Sequence, residues 1–387
     1  MNENRYSILW HALERISSGT LDLTLPNGNK MRFESSNKEI VADMQIKNWF
    51  VFDAILSGGD IALGETYMEG FWQTSDLPSL LSFLAVNSEI LEKFFHANKI
   101  NLFIFSLQNI FRKNSKIGSK RNIKYHYDLG NDFYKLWLDE TMTYSSALYD
   151  NKDFTLKEAQ ENKYNRILSK INHGNILEIG CGWGGFAQKA AIRGNNINCL
   201  TVSQEQARFA IENIKSSELN NNVSINLRDY RDEKGKYDSI VSIEMFEAVG
   251  KQYWSKYFQS IFNCLENKGT ALIQTITISD NIYKDYKNRF DFIQKHIFPG
   301  GFLPSKEAFI NSAKKENLNI VDQFSFGKDY QKTLLSWLKN FDKKKSAILA
   351  MGFSEEFIRK WRFYLAYCAA GFASARTDVV QFALVKE

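Results

Sequence analysis

Asn175-Ile-Leu-Glu-Ile-Gly-Cys-Gly-Trp-Gly-Gly-Phe-Ala187 joins a short apolar run to a cluster of glycines. Ile176 to Ile179 reads as a buried strand, and Phe186 to Ala191 as the opening of a helix. Between them stand Gly180, Gly182, Gly184 and Gly185. Glycines are poor helix starters, so the cluster needs a reason. A strand that turns sharply into a helix across glycines lets a ligand touch bare backbone. The glycine spacing differs from that of a pyrophosphate clamp for dinucleotides. The plain alternative is a glycine-rich turn with no ligand.

The pattern around this turn alternates. A polar helix is expected from Thr155 through Ile171 before it. After it, strands are expected at Ile197 to Val202, Val223 to Leu227, Tyr237 to Ile243 and Thr270 to Ile276. Helices are expected at Gln204 to Lys215 and Tyr253 to Leu265. Strand, helix, strand at this spacing predicts a parallel sheet covered on both faces. Ligands of such sheets sit at the carboxyl ends of the strands, here near the glycine turn. The tail adds a strand at Ile320 to Phe326, an aromatic helix at Glu356 to Phe372 and a last strand at Val379 to Val385.

The N-terminal part, to about residue 110, reads as a separate small module. Leu21-Asp-Leu-Thr-Leu and Met31-Arg-Phe33 flank Pro26-Asn27-Gly28-Asn29, which is a hairpin signal. Glu39 to Lys47 reads as a further strand, and Trp49 to Ser57 and Leu77 to Phe95 as helices. With 387 residues, two domains are expected. Residues 100–124 then pair a very apolar run, Ile100 to Phe111, with Arg112, Lys113, Lys116, Lys120, Arg121 and Lys124. That combination suits an interfacial helix on an anionic bilayer. A core helix followed by a solvated linker has the same composition.

Composition limits the classes. The net charge of +5 is too mild for a dedicated nucleic-acid binder. Cys181, Cys199, Cys264 and Cys368 are far apart, without the spacing of a zinc site or a disulfide framework, and fit a reducing cytosol. Met1 to Trp10 lacks the apolar region of a signal peptide. No apolar run reaches the length of a membrane span, so a soluble or peripheral protein is expected. Aromatic residues make up 14% of the chain, enough to serve either a core or an apolar substrate tunnel.

Glu178-Ile-Gly-Cys-Gly-Trp-Gly resembles the first motif of S-adenosylmethionine-dependent methyltransferases. The resemblance extends to Tyr125-His-Tyr-Asp-Leu-Gly-Asn-Asp-Phe-Tyr, Thr143-Tyr-Ser, Gly180-Cys-Gly-Trp-Gly-Gly, Met245-Phe-Glu-Ala-Val-Gly250, Ile297-Phe-Pro-Gly-Gly-Phe-Leu-Pro304 and Thr377-Asp-Val-Val-Gln-Phe. Together, in this order, they resemble the cyclopropane-fatty-acyl-phospholipid synthases from about residue 60 to the end. The implied fold is a Rossmann-like class I methyltransferase with a mostly parallel seven-stranded sheet, preceded by a small α+β domain. The expected division is 1–110 for an accessory domain contacting lipid or a partner, 111–124 for a basic linker and 125–387 for the methyltransferase.

The resemblance implies methyl transfer from S-adenosylmethionine to a cis double bond in a phospholipid acyl chain, at the cytoplasmic face of the membrane, with a homodimer open as an assembly. It implies cofactor contacts from Tyr144, Ser145, Gly180, Gly182, Thr201, Gln206, Asp229 and Tyr230. For Thr201 and Gln206 helix capping is the plain alternative, since Ser203 with Gln206 also fits a capping box. A bound bicarbonate serves as base in the family. Glu247, Tyr330 and the Ile276 backbone match its contacts, whereas Ser146 and Gln274 replace a cysteine and a histidine. A glutamine amide cannot take up a proton near neutral pH. The product is therefore expected to be a cyclopropane, or a methyl-branched or methylene chain if deprotonation takes another route. Cys368 matches a cysteine suspected of a catalytic role, although packing is the commoner use of such a residue. His126 and His296 are expected in structural or lipid-edge roles. His11, His96 and His173 are expected on the surface or in the core. A lipid-binding module with a dead site, and a methyltransferase for small molecules or RNA, are the competing classes.

Overall fold

The computed structural model describes residues 5–94 and 129–386. The apolar and basic stretch at 100–124, His96 and His126 lie outside the described residues. The chain divides into two compact units: Met1–Ile110 with Asn288–Ile297 and Leu334–Arg376, and Phe111–Lys287 with Phe298–Thr333 and Thr377–Glu387.

In the first unit, β1 (Thr20–Thr24) and β2 (Lys30–Glu34) form the expected antiparallel hairpin, with Leu21 opposite Phe33. β3 (Val41–Ile46) runs parallel to β1, and the short β4 (Trp72–Gln73) closes a sheet of order β2-β1-β3-β4. The helix Phe50–Met68 continues past the expected end at Ser57 and bends at Gly59, whose φ is 59°. It needs this length to reach Gly64, where the missing Cβ makes room for the Phe292 ring. Helix Glu355–Ala373 packs against Phe50–Met68 and Leu77–Val86 in this unit. Its Phe363 ring lies 4.6 Å from that of Phe292. A division by chain order groups it with residues 125–387. Aromatic packing, which chain order does not encode, draws it into the first unit.

The second unit carries the seven-stranded sheet. β5 (Asn175–Ile179), β6 (Asn196–Thr201), β7 (Val223–Leu227), β8 (Tyr237–Ile243) and β9 (Leu265–Ile278) are mutually parallel. β10 (Leu318–Ser325) and β11 (Thr377–Lys386) are antiparallel additions, in the order β10-β11-β9-β8-β5-β6-β7. The order reverses between β5 and β8, which is where open α/β sheets form their ligand crevice. The helices flanking these strands include Leu156–Ser169, Gly185–Ile192, Gln204–Ser216 and Trp254–Cys264. Leu156–Ser169 opens on a capping box between Thr155 and Glu158.

Many of the aromatics form core. Phe246, Trp254, Tyr257, Phe258, Phe309 and Phe382 are buried together. Phe309 stacks on Phe382 at 4.3 Å, and Phe246 meets Tyr257 edge-on at 5.0 Å. Among the described residues no helix is long and apolar enough to cross a membrane.

Candidate active site

The glycine turn leaves β5 as the sequence predicts. The Gly180 and Cys181 amides both donate to the Leu200 carbonyl, at 2.9 and 3.2 Å, which ties the turn to β6. Gly180 and Gly182 have φ of 83° and 52°, a region that disfavours side chains. At Gly180 a Cβ would stand 2.7 Å from Met245 Cγ, so the turn is pressed against the segment after β8. At Gly182 a Cβ would meet nothing within 4 Å. The backbone there is open to a ligand, at the carboxyl end of β5 and beside the strand-order reversal. This cradle fits the amino-acid end of S-adenosylmethionine.

Thr143 to Ser146 packs beside helix Leu156–Ser169. Tyr144 lies among aromatic rings, 5.5 Å from Tyr134 and 5.6 Å from Trp137. Ser145 is buried, and its Oγ accepts a hydrogen bond from Lys163 Nζ at 2.6 Å. Gln160 Nε2 donates to the Ser145 carbonyl at 2.8 Å, and Lys163 Nζ to Gln160 Oε1 at 2.7 Å. Lys163 is fully buried; desolvation brings its pKa down to about 7, against the attraction of Glu244, Asp139 and Glu178. Reading the chain alone missed this lysine. The signal was the stripe Ala159, Gln160, Lys163, Tyr164 and Ile167, which forms the buried face of its helix.

The groups expected to hold an anion converge instead on a residue that the motif reading passed over, Glu244. Its Oε1 accepts from the Ser146 amide and from Gln274 Nε2, each at 2.8 Å. Its Oε2 accepts from the Tyr330 hydroxyl at 2.6 Å. The Ser146 hydroxyl turns away and donates to the Ala147 carbonyl at 3.0 Å. Gln274 is oriented from behind. Gln381, directly opposite it in the β9–β11 register, donates Nε2 to Gln274 Oε1 at 3.0 Å, and Arg166 donates to Gln381 Oε1. The Gln274 amide must therefore point its N–H at Glu244. This chain of amides offers no proton carrier between Glu244 and Arg166.

Glu247 lies beside Glu244 but is held differently. Its Oε1 accepts from Thr275 Oγ1 at 2.9 Å and from the Ile276 amide. Its Oε2 is buried and has no partner. Burial first, then the charge of Glu244, raises the Glu247 pKa to about 8. Burial also raises that of Glu244, but the Tyr330 bond, the Lys163 charge, the Ser146 amide and Gln274 oppose the rise. Three donors hold the Glu244 carboxylate, whereas Glu247 Oε2 has no partner, so of the two the geometry favours the proton on Glu247. The expected bicarbonate does not fit these residues. Three of its expected donors are committed to Glu244, the Ile276 amide to Glu247, and a further anion would face carboxylate.

The remaining cofactor candidates are engaged within the protein. Thr201 Oγ1 donates to Gln206 Oε1 at 3.2 Å, and the Ser203 hydroxyl caps the Gln206 amide at 3.3 Å. Asp229 is buried in a fork with Arg231, whose Nε and Nη2 reach it at 2.8 and 2.6 Å. The Tyr230 ring meets Tyr257 at 5.4 Å, and burial raises its hydroxyl pKa. Cys368 belongs to the first unit, where burial and Asp291 raise its thiol pKa, so a thiolate nucleophile is disfavoured there. His296 Nε2 pairs with Glu65 at 2.8 Å in the same unit. His11 and His173 are exposed and bond to the Ser7 and Arg193 carbonyls. Among the described residues no cluster of His, Cys, Asp and Glu is arranged to hold a metal ion.

Residues 114–382 match the family described as mycolic acid cyclopropane synthetase. The chain is 38% identical over 345 residues to tuberculostearic acid methyltransferase of Mycobacterium tuberculosis, covering 85% of this chain and 79% of that protein. It is 34% identical over 340 residues to cyclopropane-fatty-acyl-phospholipid synthase of Escherichia coli, covering 87% and 86%. A crystal structure of mycolic acid cyclopropane synthase in complex with SAH and CTAB superposes with a TM-score of 0.65 at 32% identity, over 69% of this chain and 98% of that one.

Proposed function

Because the chain belongs to the mycolic acid cyclopropane synthetase family, we propose that it transfers a methyl group from S-adenosylmethionine to the cis double bond of an unsaturated phospholipid acyl chain. The observation that carries this reading is the pair of partly buried carboxyl groups, Glu244 and Glu247, beside the glycine turn. Methylating a nitrogen or oxygen needs at most one base, on the nucleophile. Methylating an alkene leaves a cation beside a new methyl group, and a proton must then leave carbon in a water-poor site. Paired carboxyl groups with different proton affinities suit that task.

When bound, the cofactor supplies an electrophilic methyl group. Gly180 and Gly182 would hold its amino-acid end through backbone, with Tyr144 and Ser145 alongside. Thr201 and Gln206 would lie toward the ribose, and Asp229 and Tyr230 toward the adenine. An alkene is a weak nucleophile, so orientation supplies much of the rate; well-aligned reactants gain on the order of 7–11 kcal/mol. The proposed place of work is the cytoplasmic face of the bilayer, where such chains are found. The apolar and basic composition of residues 100–124 supports it.

Ring closure is the product that the E. coli relative's name suggests. The relative named for tuberculostearic acid suggests the second product, a methylene or methyl-branched chain, and Gln274 stands where the family's histidine is expected. The test is incubation of the purified chain with vesicles of a dioleoyl phospholipid and methyl-labelled S-adenosylmethionine. Label in the acyl chain is expected, and proton NMR then separates a ring methylene from an exocyclic methylene. Label confined to headgroup, or none, overturns the proposal.

A further inference from the structure

We propose that Glu244 is the general base of the reaction, a carboxylate built into the chain at the place where a bound anion was expected. The inference rests on the reading given under Proposed function and names the group that takes the proton.

Four observations meet at this residue. The Ser146 amide, the Gln274 amide and the Tyr330 hydroxyl all donate to its carboxylate, which stabilises the charged, basic form. A carboxylate has about four lone-pair sites. Two donors take Oε1 and one takes Oε2, so Oε2 keeps one site for an incoming proton. Glu247 serves less well, because both of its donors go to Oε1 and its buried Oε2 has none to stabilise a charge. Finally, Glu244 has φ of 50°, the left-handed region that disfavours a glutamate. Strain of this kind persists where the side chain is required.

The step balances without a further reactant. Glu244 Oε2 accepts one proton from the transferred carbon. The electron pair of that C–H bond closes onto the neighbouring cationic carbon as the third side of a ring. After a hydride shift along the chain, the same pair becomes an exocyclic double bond. The ring and the exocyclic methylene therefore use the same base. Lys163, buried close enough to feel the charge of Glu244, offsets part of the cost of holding that carboxylate away from water.

Glu244→Gly tests the idea. Glycine is relaxed at this φ, and the substitution empties the space among the three donors. In CO2-free buffer, wild-type turnover is expected to be unchanged by added bicarbonate. Glu244→Gly is expected to lose about 100-fold in turnover and to recover part of it with bicarbonate or formate. Glu244→Gln, which keeps the space filled, is expected to lose as much with no recovery. With labelled bicarbonate and carbon NMR, the SAH-loaded wild type is expected to show no bound ion and Glu244→Gly to show one, with SAH affinity unchanged by calorimetry. Wild-type turnover that falls when CO2 is removed, or a Glu244→Gln variant that keeps its rate, overturns the proposal. If the wild type labels no acyl chain, the functional reading fails first; a bicarbonate signal from the wild type then counts separately against Glu244.

Discussion

The Tyr330 hydroxyl donates to Glu244 Oε2 at 2.6 Å, joining residues 86 apart in the chain. Tyr330 lies in the first turn of helix Gly327–Lys343, and Glu244 directly follows β8, so only the folded sheet brings them together. Hydrogen bonds to charged groups contribute about 1.5–3 kcal/mol. Tyr330→Phe is therefore expected to lower turnover about 10–100-fold while leaving SAH affinity unchanged. Parallel measurement of turnover and of SAH binding by calorimetry checks this; equal losses in both would place Tyr330 at the cofactor instead.

Glu247 and Glu244 should respond differently to the same change. Glutamine resembles the neutral form that Glu247 favours at pH 7, and its carbonyl can still accept from Thr275 and Ile276. Glu247→Gln is expected to stay within about tenfold of wild type, against about 100-fold for Glu244→Gln. Assaying the two variants side by side decides it, and the reverse ranking would move the base to Glu247.

Gly182 faces open space, so a methyl group there should disturb the ligand more than the fold. Gly182→Ala is expected to weaken SAH binding tenfold or more. Its φ of 52° costs an alanine about 1 kcal/mol, a shift in Tm of about 2–4 °C or less. Calorimetry and thermal unfolding on one preparation separate the effects. Unchanged SAH affinity would take the cofactor away from this turn.

Glu178 provides a stability test. It is buried in β5, accepts from Cys199 Sγ at 3.4 Å, and burial raises its pKa to about 8. A carboxyl group whose folded pKa is raised binds its proton more tightly in the native state. Its cost is absent below the unfolded value near 4.5, grows as pH rises, and is complete above 8. Glu178→Gln removes that cost, so its Tm relative to wild type should improve between pH 5 and pH 8. Melting curves that run parallel at both pH values would show that the carboxyl group carries no such cost.

The fold of the second unit was largely legible in the chain. β7 and β8 have the expected limits, and β5 and β6 lie within a residue of theirs, because each carries a short apolar run or an apolar–polar alternation, a local signal. Helix Phe50–Met68 was underestimated, because Gly58 and Gly59 look like a stop. Packing of Gly64 against Phe292 carries the chain past them with a bend. Glu244 escaped notice for a different reason. A lone glutamate at the end of a strand carries no spacing signal, and its three partners come from Ser146, Gln274 and Tyr330, far apart in the chain.

The linear order of residues by itself determined the glycine turn, the alternation of strand and helix, and hence the sheet and its cofactor edge. These are local properties, set by side-chain periodicity and by where a backbone can take a positive φ. Tertiary structure alone decided that the Ser146 amide, Gln274 and Tyr330 surround a carboxylate of the chain, that Lys163 is buried behind Ser145, and that Glu355–Ala373 joins the first unit. Each depends on long-range burial, which changes proton affinities and hydrogen-bond partners in ways no short stretch of residues carries.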